Sequence, residues 1–176
     1  MSAFAPTEAL AFVRAHTALA TLPFLPEIRL HLATELTPLW QATEDTLAVQ
    51  GLAPPYWAFA WVGGQALARY LLDEPEAVRG KRVLDFAAGS GVAGIAALKA
   101  GAAAVTASEL EPLALAAIAL NAAANGVALT LCGEDLTEAP ASGWDVILAG
   151  DVCYERPMAE RVAGWLEAAA QTGESG

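Results

Sequence analysis

The segment 82–97, with the sequence RVLDFAAGSGVAGIAA, constrains the fold more than any other part of the chain. Apolar residues on both sides of Asp85 predict a short buried strand, and the small residues after it predict a turn into an apolar helix. Glycine lets a ligand approach the backbone of such a turn, and the helix behind it offers free N–H groups. The segment therefore favours a ligand site in an α/β protein over a plain glycine-rich turn.

Two classes of ligand fit the glycine spacing. Gly89, Gly91 and Gly94 match GxGxxG, which is typical of dinucleotide binding, but Asp85 is not part of that fingerprint. DFAAGSG instead resembles motif I of S-adenosylmethionine (SAM) dependent methyltransferases, an acid followed by GxGxG, with an alanine at the first glycine position. In that family the loop holds the methionine part of SAM. The resemblance implies cofactor contacts at Asp85, Ala87, Gly89, Ser90 and Gly91.

Length and composition limit the organisation of the chain and its partners. The 176 residues are 56% hydrophobic, which suits one well-cored domain. Twenty acidic against nine basic residues give a net charge of −11. Because phosphate contacts supply most nucleic-acid affinity, this charge argues against DNA or RNA as the main partner. It favours a cationic partner, and an acidic surface that aids solubility is the alternative.

Cysteines, histidines and the N-terminus point to a reduced, metal-free protein. Cys132 and Cys153 lie in apolar segments, so we expect reduced thiols and a cytoplasmic location. His16 and His31 are isolated from other metal-ligating side chains, which predicts no metal site. No basic leader or long uncharged apolar run is present, so neither a signal peptide nor a membrane association is expected.

The N-terminal part, residues 1–62, is predicted to be a helix and a cap ahead of the core. Residues 7–21 have apolar positions at helical spacing. Ile28, Leu30 and Leu32 then alternate with polar residues, as in a half-buried strand. Leu47 and Val49 are candidates for the second strand of a hairpin.

The segment 54–73, PPYWAFAWVGGQALARYLLD, concentrates four aromatic residues ahead of a helix opened by two glycines. They are Tyr56, Trp57, Phe59 and Trp61. Such residues can brace the cap against the sheet, or stack on flat ligands and attract cations. Together with RGKRVLDFAAGSG, the segment resembles the family that methylates lysines of the electron transfer flavoprotein β subunit, and more distantly ribosomal protein L11 methyltransferase. The resemblance implies that Trp61 contacts the cofactor.

The strand and helix alternation continues beyond the glycine turn. Residues 104–108 predict a second strand that ends at Glu109, where an acid can accept hydrogen bonds from both ribose hydroxyls of an adenosine. Glu111 is placed to cap the next helix, 112–125. Residues 127–132 predict a third strand followed by Asp135. In the methyltransferases an acid there contacts the adenine amino group, and a plain loop carboxylate is the alternative.

A fourth strand, 144–149, carries DVCYE to the carboxyl edge of the sheet. In the order 3-2-1-4 the strand order reverses between the first and fourth strands, so Asp151 and the glycine turn are expected to face one cleft. DVCY resembles the DxxY motif of related protein lysine methyltransferases. The resemblance implies that Asp151 orients the acceptor amine and that Tyr154 shapes its pocket.

The expected fold is a Rossmann-like α/β methyltransferase core over residues 63–176, and the expected activity is SAM-dependent N-methylation. The leading substrate is a protein lysine on electron transfer flavoprotein β. The alternatives are a small-molecule N-methyltransferase, a protein that binds a nicotinamide dinucleotide, and a non-catalytic scaffold. The family carries seven strands ordered 3-2-1-4-5-7-6, and this chain shows signals for four. We therefore expect a sequence cut before the fifth strand, with the fourth strand as an open edge.

Overall fold

The computed structural model describes residues 5–33, 55–153 and 156–173. These residues form five α-helices and six β-strands. The helices are α1 (Pro6–His16), α2 (Val62–Asp73), α3 (Val92–Lys99), α4 (Pro112–Ala124) and α5 (Arg156–Gly173). The strands are β1 (Ala18–Leu22), β2 (Leu25–Leu32), β3 (Arg82–Phe86), β4 (Ala104–Ser108), β5 (Thr130–Cys132) and β6 (Val146–Leu148). Short 3-10 turns cover Tyr56–Ala58, Pro75–Ala77 and Leu136–Glu138.

A four-stranded parallel sheet ordered β5-β4-β3-β6 forms the centre of the molecule. Counted along the core, this is the predicted order 3-2-1-4, which is confirmed. Leu84 of β3 lies in register with Thr106 on one side and Ile147 on the other. All of β3 except its first residue is buried, as expected of an apolar run covered on both faces.

Neighbouring residues of β3 face two different cores, because successive side chains of a strand point to opposite faces. Val83 belongs to a cluster with residues of α2 and α3. Leu84 and Phe86 belong to a second cluster with Val162 and Trp165 of α5. The sheet therefore lies between two helical layers, and the loops at its carboxyl edge remain free to form a site.

The N-terminal segment differs from the prediction in one element. The predicted helix 7–21 ends at His16, and Ala18–Leu22 is a strand that pairs antiparallel with β2. The alanines of ALATL favour a helix locally, but pairing with β2 satisfies the backbone groups, so tertiary context decides. The predicted strand partners Leu47 and Val49 lie outside the described residues.

The predicted strand around residues 28–32 is present, and it attaches the hairpin to the core. Ile28 and Leu30 are fully buried against residues of α2 and α3. Separately, Ala9 and Val13 of α1 pack with residues of α4. The N-terminal segment thus packs directly on the core helices. The predicted boundary at residue 62 between the N-terminal cap and the core stays a prediction.

Candidate active site

A cleft of about 810 Å³ opens at the carboxyl edge of the sheet. Loops after β3, β4 and β6 form its floor, and the chain that enters α2 forms a wall. Its lining residues are Tyr56, Trp57, Phe59, Trp61, Gly64, Asp85, Ala87, Ala88, Gly89, Ser90, Val92, Ala93, Glu109, Leu110, Glu111, Ala114, Gly150, Asp151, Cys153 and Met158. Four of these carry carboxylates, and none of these lining residues is a Lys, Arg or His. The cleft therefore suits a ligand with positive charge.

The glycine turn between β3 and α3 forms the floor of this cleft. Gly89 and Gly91 have φ of 55° and 75°, in the left-handed region that glycine tolerates without strain. Ala87 has φ 50° as well, so this alanine adopts the conformation expected of the glycine that it replaces in the motif. The loop thus keeps the glycine-type backbone path despite the substitution.

Asp85 anchors the first turn of α3 from the end of β3. Its Oδ2 accepts a hydrogen bond from the backbone N–H of Gly94 at 2.8 Å. A Cβ at position 94 would lie 2.9 Å from the same oxygen, which explains the glycine there. Burial raises the pKa of Asp85 to about 7, against the lowering effect of the Gly94 hydrogen bond, and the nearby Glu109 charge raises it further.

Glu109 follows β4 and reaches back to the glycine turn. Its Oε1 accepts from the backbone N–H of Gly89 at 2.8 Å, and its Oε2 accepts from that of Leu110 at 3.2 Å. Burial raises the pKa of Glu109, while these backbone donors oppose the shift. The carboxylate therefore stands where the ends of β3 and β4 meet, as the sequence predicts.

Asp151 follows β6 and forms hydrogen bonds with the N-terminus of α2. Its two carboxylate oxygens accept from the backbone N–H groups of Gly63 at 3.0 Å and Gly64 at 2.8 Å. These donors are unpaired within the helix, and the helix dipole favours a negative charge beside them. We call this contact the α2 latch. It joins the start of α2, and the aromatic segment 56–61 that precedes it, to the carboxyl edge of the sheet.

Gly63 and Gly150 leave the space that the α2 latch requires. A Cβ at Gly63 would lie 2.8 Å from both Asp151 oxygens, and one at Gly150 would lie 2.9 Å from the Gly64 nitrogen. Separations below 3.0 Å require the neighbours to move. The sequence predicts only that the two α2 glycines open a helix, and it carries no signal for their contact with the end of β6.

The aromatic residues of segment 56–61 all border the cleft but differ in burial. Trp57 is buried between α1 and α4. Tyr56 and Trp61 line the cleft and keep 41% and 43% of their surface exposed. The indole Nε1 of Trp61 donates to the backbone oxygen of Tyr56 at 2.8 Å, which fixes the ring. The brace is confirmed for Trp57, whereas ligand stacking by Tyr56 and Trp61 stays a prediction.

Asp135 is not among the residues that line the cleft. Its Oδ1 accepts from the backbone N–H and the hydroxyl of Thr137, and its Oδ2 lies 3.2 Å from the Arg161 guanidinium. The bonds from Thr137 hold the pKa of Asp135 below its usual range. The structure thus places this carboxylate as a loop and ion-pair group, and its adenine contact stays a prediction.

The remaining predictions concern Tyr154, the two cysteines, metal ligands and membrane-spanning helices. Tyr154 lies outside the described residues. Cys132 and Cys153 are free thiols. Within residues 5–33, 55–153 and 156–173, no cluster of three or more His, Cys, Asp or Glu side chains could hold a metal ion. Over the same part of the chain, no helix is long and apolar enough to cross a membrane.

Comparison with known proteins identifies the family. The family model described as ribosomal protein L11 methyltransferase (PrmA) matches residues 66–153, half of the chain. The chain belongs to this family. The matched span begins inside α2 and ends just after β6, so it covers the glycine turn, Glu109 and Asp151. The resemblance to methyltransferases predicted from the sequence is confirmed.

Two curated relatives match a larger part of the chain than the family model does. The electron transfer flavoprotein beta subunit lysine methyltransferase of Xenopus laevis is 39% identical over 156 residues, covering 88% of this chain and 62% of the relative. The human protein of that name is 36% identical over 166 residues, covering 93% and 62%. The chain thus spans about three fifths of the length of these relatives.

A solved structure supports the fold of this L11 methyltransferase family member. A putative SAM-dependent methyltransferase from Streptococcus mutans superimposes with a TM-score of 0.53. The match covers 87% of this chain and 38% of that one at 15% identity. At this identity the comparison concerns the fold alone, and it confirms the Rossmann-like prediction.

Proposed function

We propose that this protein is a SAM-dependent N-methyltransferase whose acceptor is a lysine of electron transfer flavoprotein β. The observation that carries the proposal is the pairing of carboxylates with the turn amides. Glu109 accepts from the Gly89 N–H and Asp85 from the Gly94 N–H, in a cleft whose described lining residues include no basic side chain. Such a site suits a sulfonium cofactor and an ammonium acceptor. The two curated relatives described above carry this activity in their names.

The same pairing disfavours a nicotinamide dinucleotide. A pyrophosphate needs free backbone N–H groups at the helix N-terminus. Here the Gly94 N–H already donates to the Asp85 carboxylate, and the Gly89 N–H already donates to the Glu109 carboxylate. Two further negative charges from a ligand would meet like charges in a partly desolvated site. The GxGxxG spacing is therefore better explained by close packing of the turn.

The proposed cofactor shell follows the predicted residues. Glu109 would accept hydrogen bonds from the ribose hydroxyls, and the backbone of residues 87–91 would hold the methionine part. Asp85 would contribute a buried carboxyl group behind the turn, and Trp61 an aromatic face near the cationic end. When bound, SAM supplies an already activated methyl group, so the protein needs to orient the acceptor rather than activate a nucleophile covalently.

The proposed acceptor side lies at Asp151 and Tyr154. The two N–H bonds of the α2 latch fix the Asp151 carboxylate, and a carboxylate has further lone-pair sites that can face the cleft. It can therefore receive a lysine ammonium and orient the amine after the proton leaves to solvent or to a carboxylate. The aromatic faces of Tyr56 and Trp61 lie in the same cleft and also attract cations.

The proposed setting is the cytoplasm, with a protein partner. Two free thiols fit a reducing compartment. The net charge of −11 favours a basic protein surface over nucleic acid as the partner. A small amine could enter the same cleft, so a small-molecule N-methyltransferase is the second candidate.

Calorimetric titration with SAM, S-adenosylhomocysteine and NAD tests the cofactor. We expect binding of the first two and none of NAD, and the reverse pattern would overturn the proposal. Incubation of electron transfer flavoprotein β with labelled SAM, followed by mass spectrometry, tests the acceptor. Methylated lysine is the expected product. Label on small amines alone would instead support the second candidate.

A further inference from the structure

Asn121 is a buried polar residue in an otherwise apolar helix. It is the single polar residue in the α4 sequence PLALAAIALNAAA, and it has no exposed surface. An amide in such a place is costly unless its donor and acceptor groups are paired. The reason for a buried asparagine here therefore lies in its partners.

Both ends of the Asn121 amide are paired with backbone groups from different parts of the chain. Nδ2 donates to the Ser90 carbonyl at 2.8 Å. Oδ1 accepts from the His31 backbone N–H at 2.6 Å. A carbonyl can only accept and an N–H can only donate, so these partners fix the orientation of the amide. One side chain thereby joins the N-terminal hairpin to the glycine turn.

The Ser90 contact orients one peptide unit of the turn. The carbonyl of that unit accepts from Asn121, and its N–H, which belongs to Gly91, donates to the Ala88 carbonyl at 2.7 Å. One helical turn before Asn121, Ile118 packs against Gly91 so closely that a Cβ there would lie 3.1 Å away. The same face of α4 therefore holds the turn by a hydrogen bond and by packing.

We propose that Asn121 is a positioning residue that holds the turn 87–91 in its cofactor-binding conformation and couples it to the hairpin β1–β2. This inference rests on the proposed methyltransferase function, because it concerns the affinity of that turn for SAM. Asn121 does not line the cleft, so its effect passes through the Ser90–Gly91 peptide.

Asn125, four residues further along the chain, provides a matched control. Its Oδ1 accepts from the Arg29 N–H at 3.0 Å, and its Nδ2 donates to the Arg29 carbonyl at 2.6 Å. It also donates to the Asn121 backbone oxygen. Asn125 thus secures the same hairpin to the same helix, but its hydrogen bonds go to the hairpin and to α4 rather than to the turn.

The experiment compares Asn121→Leu with Asn125→Leu. In Asn121→Leu the Ser90 carbonyl stays buried but loses its hydrogen-bond donor. We therefore expect about tenfold weaker SAM binding by calorimetry. The KM for SAM rises correspondingly while kcat changes little. Asn125→Leu binds SAM as the wild type does. Both variants melt at lower temperature, so the difference in SAM affinity separates positioning from stability.

Asn121→Asp separates the two hydrogen bonds of the side chain. An aspartate keeps an acceptor for His31, which supports folding, but it has no donor for the Ser90 carbonyl when ionised. We expect Asn121→Asp to bind SAM more weakly than the wild type at pH 8, and the ratio of the two affinities to approach one as pH falls, because the protonated acid regains a donor. The comparison is made with the wild type at each pH, because burial also raises the pKa values of Asp85 and Glu109, which pair with the same turn and helix start. A variant that lacks only stability would show no such recovery.

SAM affinity equal to the wild type in both Asn121 variants would overturn the inference, as would an equal loss in Asn125→Leu. Amide hydrogen exchange of residues 89–92 without SAM gives a second test. We expect faster exchange in Asn121→Leu and an unchanged rate in Asn125→Leu. A wild type that bound no SAM would refute the proposed function but not the positioning role. Equal hydrogen-exchange rates of residues 89–92 in Asn121→Leu and Asn125→Leu would refute the positioning role independently of SAM.

Discussion

The α2 latch predicts that Gly150→Ala is strongly destabilising although the residue lies at the surface. The added Cβ would lie 2.9 Å from the Gly64 nitrogen and 3.1 Å from the Gly63 carbonyl carbon. Both are backbone atoms at the start of a helix, so they cannot rotate away as a side chain would. The φ of Gly150 is not positive, and the clash alone therefore decides the outcome.

The expected loss can be estimated from the two interactions affected. Overpacking of this kind costs about 1–3 kcal/mol. Separation of β6 from α2 also weakens two hydrogen bonds to a charged group, each worth at most about 1.5–3 kcal/mol and less at the exposed Asp151. We expect a total of roughly 2–4 kcal/mol, which for a chain of this size lowers Tm by about 5–15 °C.

Circular dichroism during urea and thermal unfolding measures this loss. Gly164→Ala is the matched control, since a Cβ there would have no atom within 4 Å and the residue lies within α5. That variant should gain about 0.5–1 kcal/mol from helix propensity. If Gly150→Ala were as stable as the wild type, the close approach of β6 to α2 would be refuted.

Three further predictions concern the carboxylates of the cleft. Glu109→Gln should weaken SAM binding in calorimetry, with about 1.5–3 kcal/mol per lost charge-assisted bond as the upper guide, and unchanged affinity would contradict the ribose assignment. Asp151→Ala should reduce turnover much more than SAM affinity, whereas equal losses would place Asp151 among the cofactor contacts. Asp85→Asn should alter the pH dependence of stability. The pKa of Asp85 is about 7 in the folded protein, against 3.8 for a free carboxyl, so the folded wild type binds a proton at Asp85 more tightly than the unfolded chain does. The wild type therefore loses stability relative to the variant as pH rises from about 4 to about 7, and parallel urea-unfolding profiles across that range would argue against a buried, perturbed Asp85.

The parallel core could be predicted because its signals are local. Short apolar runs, glycine turns and an acid at the end of β4 place the glycine turn and Glu109 at one sheet edge without knowledge of distant contacts. The sequence also predicts Asp151 at that edge. Its partners at Gly63 and Gly64, 88 and 87 residues away, depend on how α2 packs on the sheet.

Other features depend on competition between local and distant partners. Residues 18–22 have a helical composition, and only the pairing with β2 makes them a strand. Asp135 follows β5 as predicted, but Thr137 two residues later satisfies its carboxylate locally, as in a common Asx turn. The D-x-T spacing could have indicated this turn. No comparable local signal links Asn121 to His31, which lies 90 residues away.

Asn121 of α4 and Asn125, which caps the C-terminus of that helix, also determine how the hairpin can pair with other chains. The backbone N–H groups of Arg29 and His31 point away from β1, and they donate to Asn125 and Asn121. The Arg29 carbonyl accepts from Asn125 in return. These side-chain amides thus take the place of a neighbouring strand along β2. An extended segment from another molecule finds these backbone groups already paired, so this edge resists growth by strand addition.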